Sequence, residues 1–225
     1  YMDGGSLQDV LRKAGKIPEA IIGQMTQSIV HGLAYLKQLK MVHRDIKPGN
    51  ILISRQGQVK LTDFGVTGDL SAAAAEASTF VGTAKYMSPE QLRGKSYAYP
   101  ADVWALGICL MELATGEHPY SKYKCASQME LLLALENEPL PELPASMFTP
   151  DFCDFTRRCL TMEPDDRATV EALLEMTFVR LSGGQDVSAW FSQLDLHKAK
   201  KGSPSQLVPP RRNGLSVPRS FTTIS

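Results

Sequence analysis

The stretch Ala101 to Thr115 limits the fold more than any other part of this chain, because it is apolar almost all round, opens after Pro100 and stops at Gly116. A helix without a polar face belongs in the middle of a domain, so other elements must surround it. It is too short to span a bilayer, and it carries Asp102 and Glu112. The neighbouring segments have the one-sided pattern such a centre requires. Ser6-Leu7-Gln8-Asp9 reads as a capping box, with Gly15 as the stop of a short helix. Pro18 opens a longer helix, in which Ile22, Met25, Ile29, Leu33 and Leu36 recur at spacings of three and four up to about Leu39. Ser127, Thr149-Pro150 and Thr169 begin three more, the first running to about Glu136 and the second through Leu160. Ile51-Leu52-Ile53 and Val59-Lys60-Leu61, with Gln56-Gly57 between them, read as a β-hairpin. Residues 66 to 100 read mostly as loop, in which Ala72 to Ala75 can hold a helical turn.

The expected class is therefore mainly α with one small β-hairpin, spanning residues 1–196. From His197 onward Pro, Ser and Gly are frequent, Lys198, Lys200, Lys201, Arg211, Arg212 and Arg219 are basic, and no acidic residue follows Asp195. Residues 197–225 read as a basic, disordered tail. Lys plus Arg and Asp plus Glu balance at 24 each, so no global field favours nucleic acid or a membrane surface. Cys109, Cys125, Cys153 and Cys159 form no C-x-x-C pair and no metal spacing with the histidines, which fits free thiols in a reducing compartment. With no secretory segment at its start, the chain is expected to be cytoplasmic; beginning at Tyr1, it reads as a fragment.

The chemistry is concentrated in His43-Arg44-Asp45-Ile46-Lys47-Pro48-Gly49-Asn50, followed by Asp63-Phe64-Gly65. Phosphoryl transfer needs a carboxylate to orient the incoming hydroxyl, a cation to neutralise phosphate oxygens, and hard oxygen ligands for Mg²⁺. Asp45 can supply the first, Lys47 the second, and Asn50 with Asp63 the third. The hairpin between Asn50 and Asp63 turns the chain back, so that two ligands distant in sequence can flank one metal.

This run of residues resembles the catalytic loop and metal-binding motif of eukaryotic protein kinases, in the form typical of serine/threonine and related dual-specificity enzymes. The resemblance implies the C-terminal lobe of the kinase fold, with ATP and Mg²⁺ as cofactors. It extends to Ser88-Pro89-Glu90, whose Glu is expected to pair with Arg167, and to Asp102-Val103-Trp104-Ala105-Leu106-Gly107, whose Asp is expected to brace the catalytic-loop backbone. No Gly-rich loop or strand Lys precedes the hinge among these 225 residues, so the chain as given is expected to bind nucleotide poorly.

Met2-Asp3-Gly4-Gly5-Ser6-Leu7 and Phe80-Val81-Gly82-Thr83-Ala84-Lys85-Tyr86-Met87-Ser88-Pro89-Glu90 resemble the hinge and substrate-binding loop of the MAP kinase kinases. That resemblance implies a dual-specificity enzyme acting on a MAP kinase, with an upstream activating kinase as second partner. Backbone groups near Met2 would meet the adenine, Leu52 would lie under it, and Thr83 would bond Asp45 and Lys47. Thr79, with Ser78 beside it, occupies a regulatory phosphorylation position that Arg44 would answer. The other regulatory hydroxyl has no clean match, since Ser71 is followed by alanines. Other kinases of the same cascade share M-x-G-G-S-L, and a non-catalytic kinase-derived scaffold is the alternative from a different class. Arg211-Arg212 followed by Leu215 and Val217 resembles the family's MAP kinase docking motif. Ala189-Trp190-Phe191 with Leu194 matches a region used for docking upstream kinases, although Trp190 and Phe191 can equally pack back onto the lobe.

Overall fold

The computed structural model describes residues 2–64, 84–123, 125 and 127–201, with the side chains of 196–201 outside that description. Its axis is α4 (Tyr99–Thr115), in which every residue from 101 to 111 is buried. The helix starts two residues earlier than the apolar run because Tyr99-Pro100 fills its first turn, where a missing N–H costs nothing. It ends on Gly116 at φ 86°, where an added Cβ would lie 2.3 Å from the Gly15 carbonyl oxygen, so only glycine fits.

Around α4 pack α2 (Glu19–Gln38) and α6 (Pro150–Cys159). All five apolar positions picked out in the α2 pattern are buried. α2 also packs against the strand Val59–Leu61 and two short helices, α7 (Val170–Glu175) and α8 (Thr177–Arg180). Phe178 of α8 stacks on Phe152 of α6 with centroids 4.5 Å apart, closing the core at that end. Ser6, Thr149 and Thr169 each accept a hydrogen bond from a first-turn backbone N–H of the helix they precede, as their position before an amphipathic run implies. α3 (Pro89–Leu92) and α5 (Gln128–Asn137) pack together at the far side. No described helix is long and apolar enough to cross a membrane.

The predicted hairpin is present as β2 (Ile51–Ile53) and β3 (Val59–Leu61), antiparallel with Ile51 opposite Leu61. It carries a third strand that its sequence does not advertise. β1 (Gly5–Ser6) pairs antiparallel with β2, Gly5 opposite Ile53 and Ser6 opposite Leu52, directly before α1 (Leu7–Ala14). Two residues without β-branching give no strand signal; the pairing comes from tertiary context.

The last helix enters the segment read as a tail. α9 (Val187–Lys201) runs five residues past 196, through Leu-His-Lys-Ala-Lys-Lys, a sequence rich in good helix formers. Residues beyond 201, including Arg211, Arg212, Leu215 and Val217, lie outside the described residues, as does the segment 65–83 with Ser71, Ser78, Thr79 and Thr83.

α4 crosses α6 closely at Gly107, where a Cβ would lie 2.7 Å from Cys159 Cβ and 2.9 Å from a Leu160 methyl carbon. Gly107→Ala is therefore expected to destabilise the chain by about 1–3 kcal/mol, despite the gain in helix propensity. Urea unfolding of the two proteins checks it.

Candidate active site

Residues 41–47 have no regular secondary structure, so tertiary contacts must hold their shape. Asp102, in the first turn of α4, does this with both oxygens: Oδ2 accepts from the His43 N–H and Oδ1 from the Arg44 N–H, each at 2.8 Å. Arg44 sits at φ 73°, a left-handed conformation that costs a non-glycine residue about 1–3 kcal/mol unless its surroundings fix it. Below the loop Ile46 is 1% exposed in the core, and the His43 ring is fully buried with its edge towards Phe64, centroids 6.2 Å apart. Burial lowers the His43 pKa, which favours the neutral imidazole, and its Nδ1 accepts from the Asp45 N–H at 3.4 Å.

This frame presents Asp45 upward. Lys47 Nζ lies 2.8 Å from Asp45 Oδ2, with both side chains about a quarter exposed (25% and 24%), open to a partner yet shielded from bulk water. Asn50 ends a 3-10 turn (Pro48–Asn50) that packs against α1. Its Nδ2 donates to Asp45 Oδ2 at 2.7 Å and to the Asp45 carbonyl at 2.9 Å, which turns the opposite end of the amide, Oδ1, toward use as a cation ligand.

The hairpin then returns the chain. Thr62 donates to the Asn50 carbonyl through both its N–H (3.0 Å) and its hydroxyl (3.1 Å), which fastens the residue before Asp63 onto Asn50. Asp63 takes φ 61° and acts electrostatically on His43. Asp45, Lys47, Asn50 and Asp63 thus belong to one small region held by β2 and β3. Thr62 was not singled out from sequence; a hydroxyl residue next to a candidate metal carboxylate was the only available signal. Among the described residues no three His, Cys, Asp or Glu side chains converge as a metal cage. An amide oxygen and one carboxylate instead suit Mg²⁺, which takes few protein ligands and draws the rest from phosphates and water.

Leu52 is half-buried between Ile51 and Ile53, both 0% exposed, so it points to the opposite, uncovered face of the sheet. Leu52 faces Ser6 across the sheet, while Met2 lies on the segment leading into β1, where a groove of about 400 Å³ is lined by Met2, Gly4, Gly5 and Asp9 but not by Leu52.

Two further ties hold the residues that follow the undescribed segment. Tyr86 donates from its hydroxyl to Glu112 Oε2 at 2.5 Å, anchoring 84–88 to α4. Glu90 takes both guanidinium nitrogens of Arg167, Nη1 on Oε1 at 2.8 Å and Nη2 on Oε2 at 3.0 Å, with the two side chains 6% and 0% exposed. Arg167 also donates to the carbonyls of Pro100, Thr161 and Met162 and lies over the Trp104 ring. Burial opposes the charge on Glu90, but the bonds from Arg167 prevail and hold its carboxyl below the usual range. Both expected pairings, Asp102 with the loop backbone and Glu90 with Arg167, are present.

Residues 1–179 match the protein kinase domain model. The chain belongs to the protein kinase family. Its relatives include mitogen-activated protein kinase kinases 1 and 3 of Arabidopsis thaliana, 39% identical over 95% of this chain and 44% over 80%. The dual specificity mitogen-activated protein kinase kinase dSOR1 of Drosophila melanogaster is 38% identical over 84%. The chain spans 59%, 34% and 54% of the lengths of these three relatives. It is a protein kinase domain related to the MAP kinase kinases.

The kinase brace is also a titrating group. Burial raises the Asp102 pKa from 3.8 to about 6 against the two backbone bonds that lower it. With the folded pKa above the unfolded one, this group's contribution to stability is complete below about pH 4 and is lost as pH rises through about 6. Asp102→Asn is therefore expected to flatten the fall in urea midpoint between those pH values. It also sets an NH₂ against one of two buried N–H donors, which lowers stability by about 1–3 kcal/mol at all pH.

Proposed function

We propose that the protein transfers the γ-phosphate of Mg²⁺-ATP to hydroxyl side chains of a MAP kinase, as a MAP kinase kinase. The observation that carries this is the meeting of Lys47 and Asn50 on a single oxygen of Asp45, with the hairpin returning Asp63 beside Asn50. A carboxylate pinned through Oδ2 keeps Oδ1 aimed for an incoming hydroxyl. Asp45 orients that hydroxyl and receives its proton as the new O–P bond forms and the bond to ADP breaks. Lys47 sits one ion pair away, placed to neutralise the γ-phosphate oxygens. Asn50 Oδ1 and the Asp63 carboxylate hold Mg²⁺, which when bound offsets phosphate charge. Leu52 forms the apolar floor under the adenine, and backbone groups near Met2 recognise its edge. Thr83 supplies a further bond to Asp45 and Lys47.

Regulation follows from charge. A phosphate on Thr79, or on Ser78 beside it, brings about two negative charges to the segment preceding Thr83. Arg44 is the answering cation, since its backbone is fixed by Asp102 next to Asp45. An upstream kinase is the partner this implies, with a MAP kinase as substrate, held in addition by Arg211, Arg212, Leu215 and Val217.

A chain carrying a Gly-rich loop and a strand Lys ahead of Tyr1 is expected to phosphorylate a MAP kinase in the presence of Mg²⁺-ATP. Asp45→Asn should lower that rate about 10²–10⁴-fold with nucleotide binding retained. An Asp45→Asn protein as fast as the parent would remove the catalytic assignment. Thr79→Ala should abolish activation by an upstream kinase, and full activation of that variant would remove the regulatory one.

A further inference from the structure

α9 packs behind the segment that leads into β1, and the contacts there are specific. Phe191 is 4% exposed, and a Cβ on the buried Gly4 would lie 3.1 Å from its Cζ. Trp190 meets Phe191 edge-on, with centroids 5.1 Å apart, and Val187 occupies the space a Cβ on Gly57 would need in the β2–β3 turn. Arg55, in that turn, joins the three parts. Its N–H donates to Asp3 Oδ1 at 2.9 Å, its Nη1 donates to Asp195 Oδ2 at 2.5 Å, and its guanidinium lies over the Phe191 ring.

The segment so gripped has little strength of its own. Gly4 and Gly5 are consecutive glycines, Gly5 at φ 81°, and β1 is only two residues long. Within it the Gly4 N–H donates to the Ile53 carbonyl at 3.0 Å and the Gly5 N–H to the Met2 carbonyl at 3.2 Å. A backbone this permissive keeps one position only if something outside fixes it. The Ile53 carbonyl oxygen on one strand and the buried ring of Phe191 on α9 together close the notch left by the missing Gly4 side chain, 2.5 Å and 3.1 Å from where its Cβ would lie, and the exposed Arg55–Asp195 pair ties α9 to the β2–β3 turn.

We propose that α9 is a brace for residues 2–5: Phe191 seated on Gly4, with Asp195 on Arg55, sets the position of this segment and thereby how the adenine end of a nucleotide is held. Phe191 is thus a positioning residue, acting through Gly4 rather than touching ligand. The link to nucleotide rests on the kinase reading above; the link to the position of residues 2–5 does not.

The test uses the 225-residue chain, amide hydrogen exchange by NMR, and titration with adenosine. In Phe191→Ala the Gly4 and Gly5 amides are expected to exchange about tenfold faster or more, while amides of α2 and α4 stay as slow as in the parent. Adenosine affinity should fall about threefold or more in the same variant, with Phe191→Leu restoring most of both effects. Unchanged Gly4 and Gly5 exchange in Phe191→Ala overturns the brace. If Phe191→Ala loses protection throughout α2 and α4, Asp195→Ala, which removes the exposed partner of Arg55, is read in its place. Faster exchange confined to Gly4 and Gly5 then supports the proposal, and none overturns it. Fast local exchange in Phe191→Ala with no adenosine bound by the parent chain supports the brace and sinks only its link to nucleotide. Adenosine bound by Phe191→Ala as tightly as by the parent sinks the link between brace and nucleotide.

Discussion

Two hydrogen bonds to one carboxylate hold the working part of this molecule in shape. Asp102 receives the backbone N–H groups of His43 and Arg44, which fixes the loop where Arg44 is left-handed and sets the stem from which Asp45 meets Lys47 and Asn50. The carboxylate is effective because its own helix is immobilised: α4 is buried from residue 101 to 111, so the first turn is a fixed point in the core. The apolar centre and the polar loop are therefore one device. Its cost is visible in the raised pKa of Asp102, since burial works against the charged form that accepts both bonds most strongly.

The hairpin has a comparable economy. β2 and β3 contribute three residues each, too few for independent stability, yet they bring Thr62 onto Asn50 and bury Ile51 and Ile53 on one face. Alternation then leaves Leu52 on the other face without any special residue choice. The same three residues that anchor the sheet to the helical core thus provide an apolar surface where a planar ring can lie.

Much of this was legible in the sequence for reasons that can be named. Helix starts at Ser6, Thr149 and Thr169 were readable because a side-chain oxygen before an apolar-periodic run satisfies first-turn N–H groups locally. The central helix was readable from the absence of a polar face. The grouping of Asp45, Lys47 and Asn50 was readable because all lie within one short loop, and Glu90 with Arg167 because a motif ties them. β1 was not, since Gly5-Ser6 has no strand preference and pairs only because β2 is already in place. Nor was the seat of Phe191, because its partner Gly4 stands near the other end of the chain and a glycine gives no sign of what fills its missing side chain. The continuation of α9 from the short amphipathic stretch at 189–194 to Lys201 was not legible, because a run of basic residues signals solvation and helix equally well.

The pairing of Glu90 with Arg167 has an evolutionary edge. The two are 77 positions apart and share a site with almost no solvent, so either one changed alone strands a buried charge, at about 3–5 kcal/mol. Exchange of both for well-packed apolar residues is the route that avoids this, and it requires two simultaneous changes in distant codons. A single change at either position therefore carries a penalty of a size that surface positions rarely meet, so the two side chains are bound to vary together.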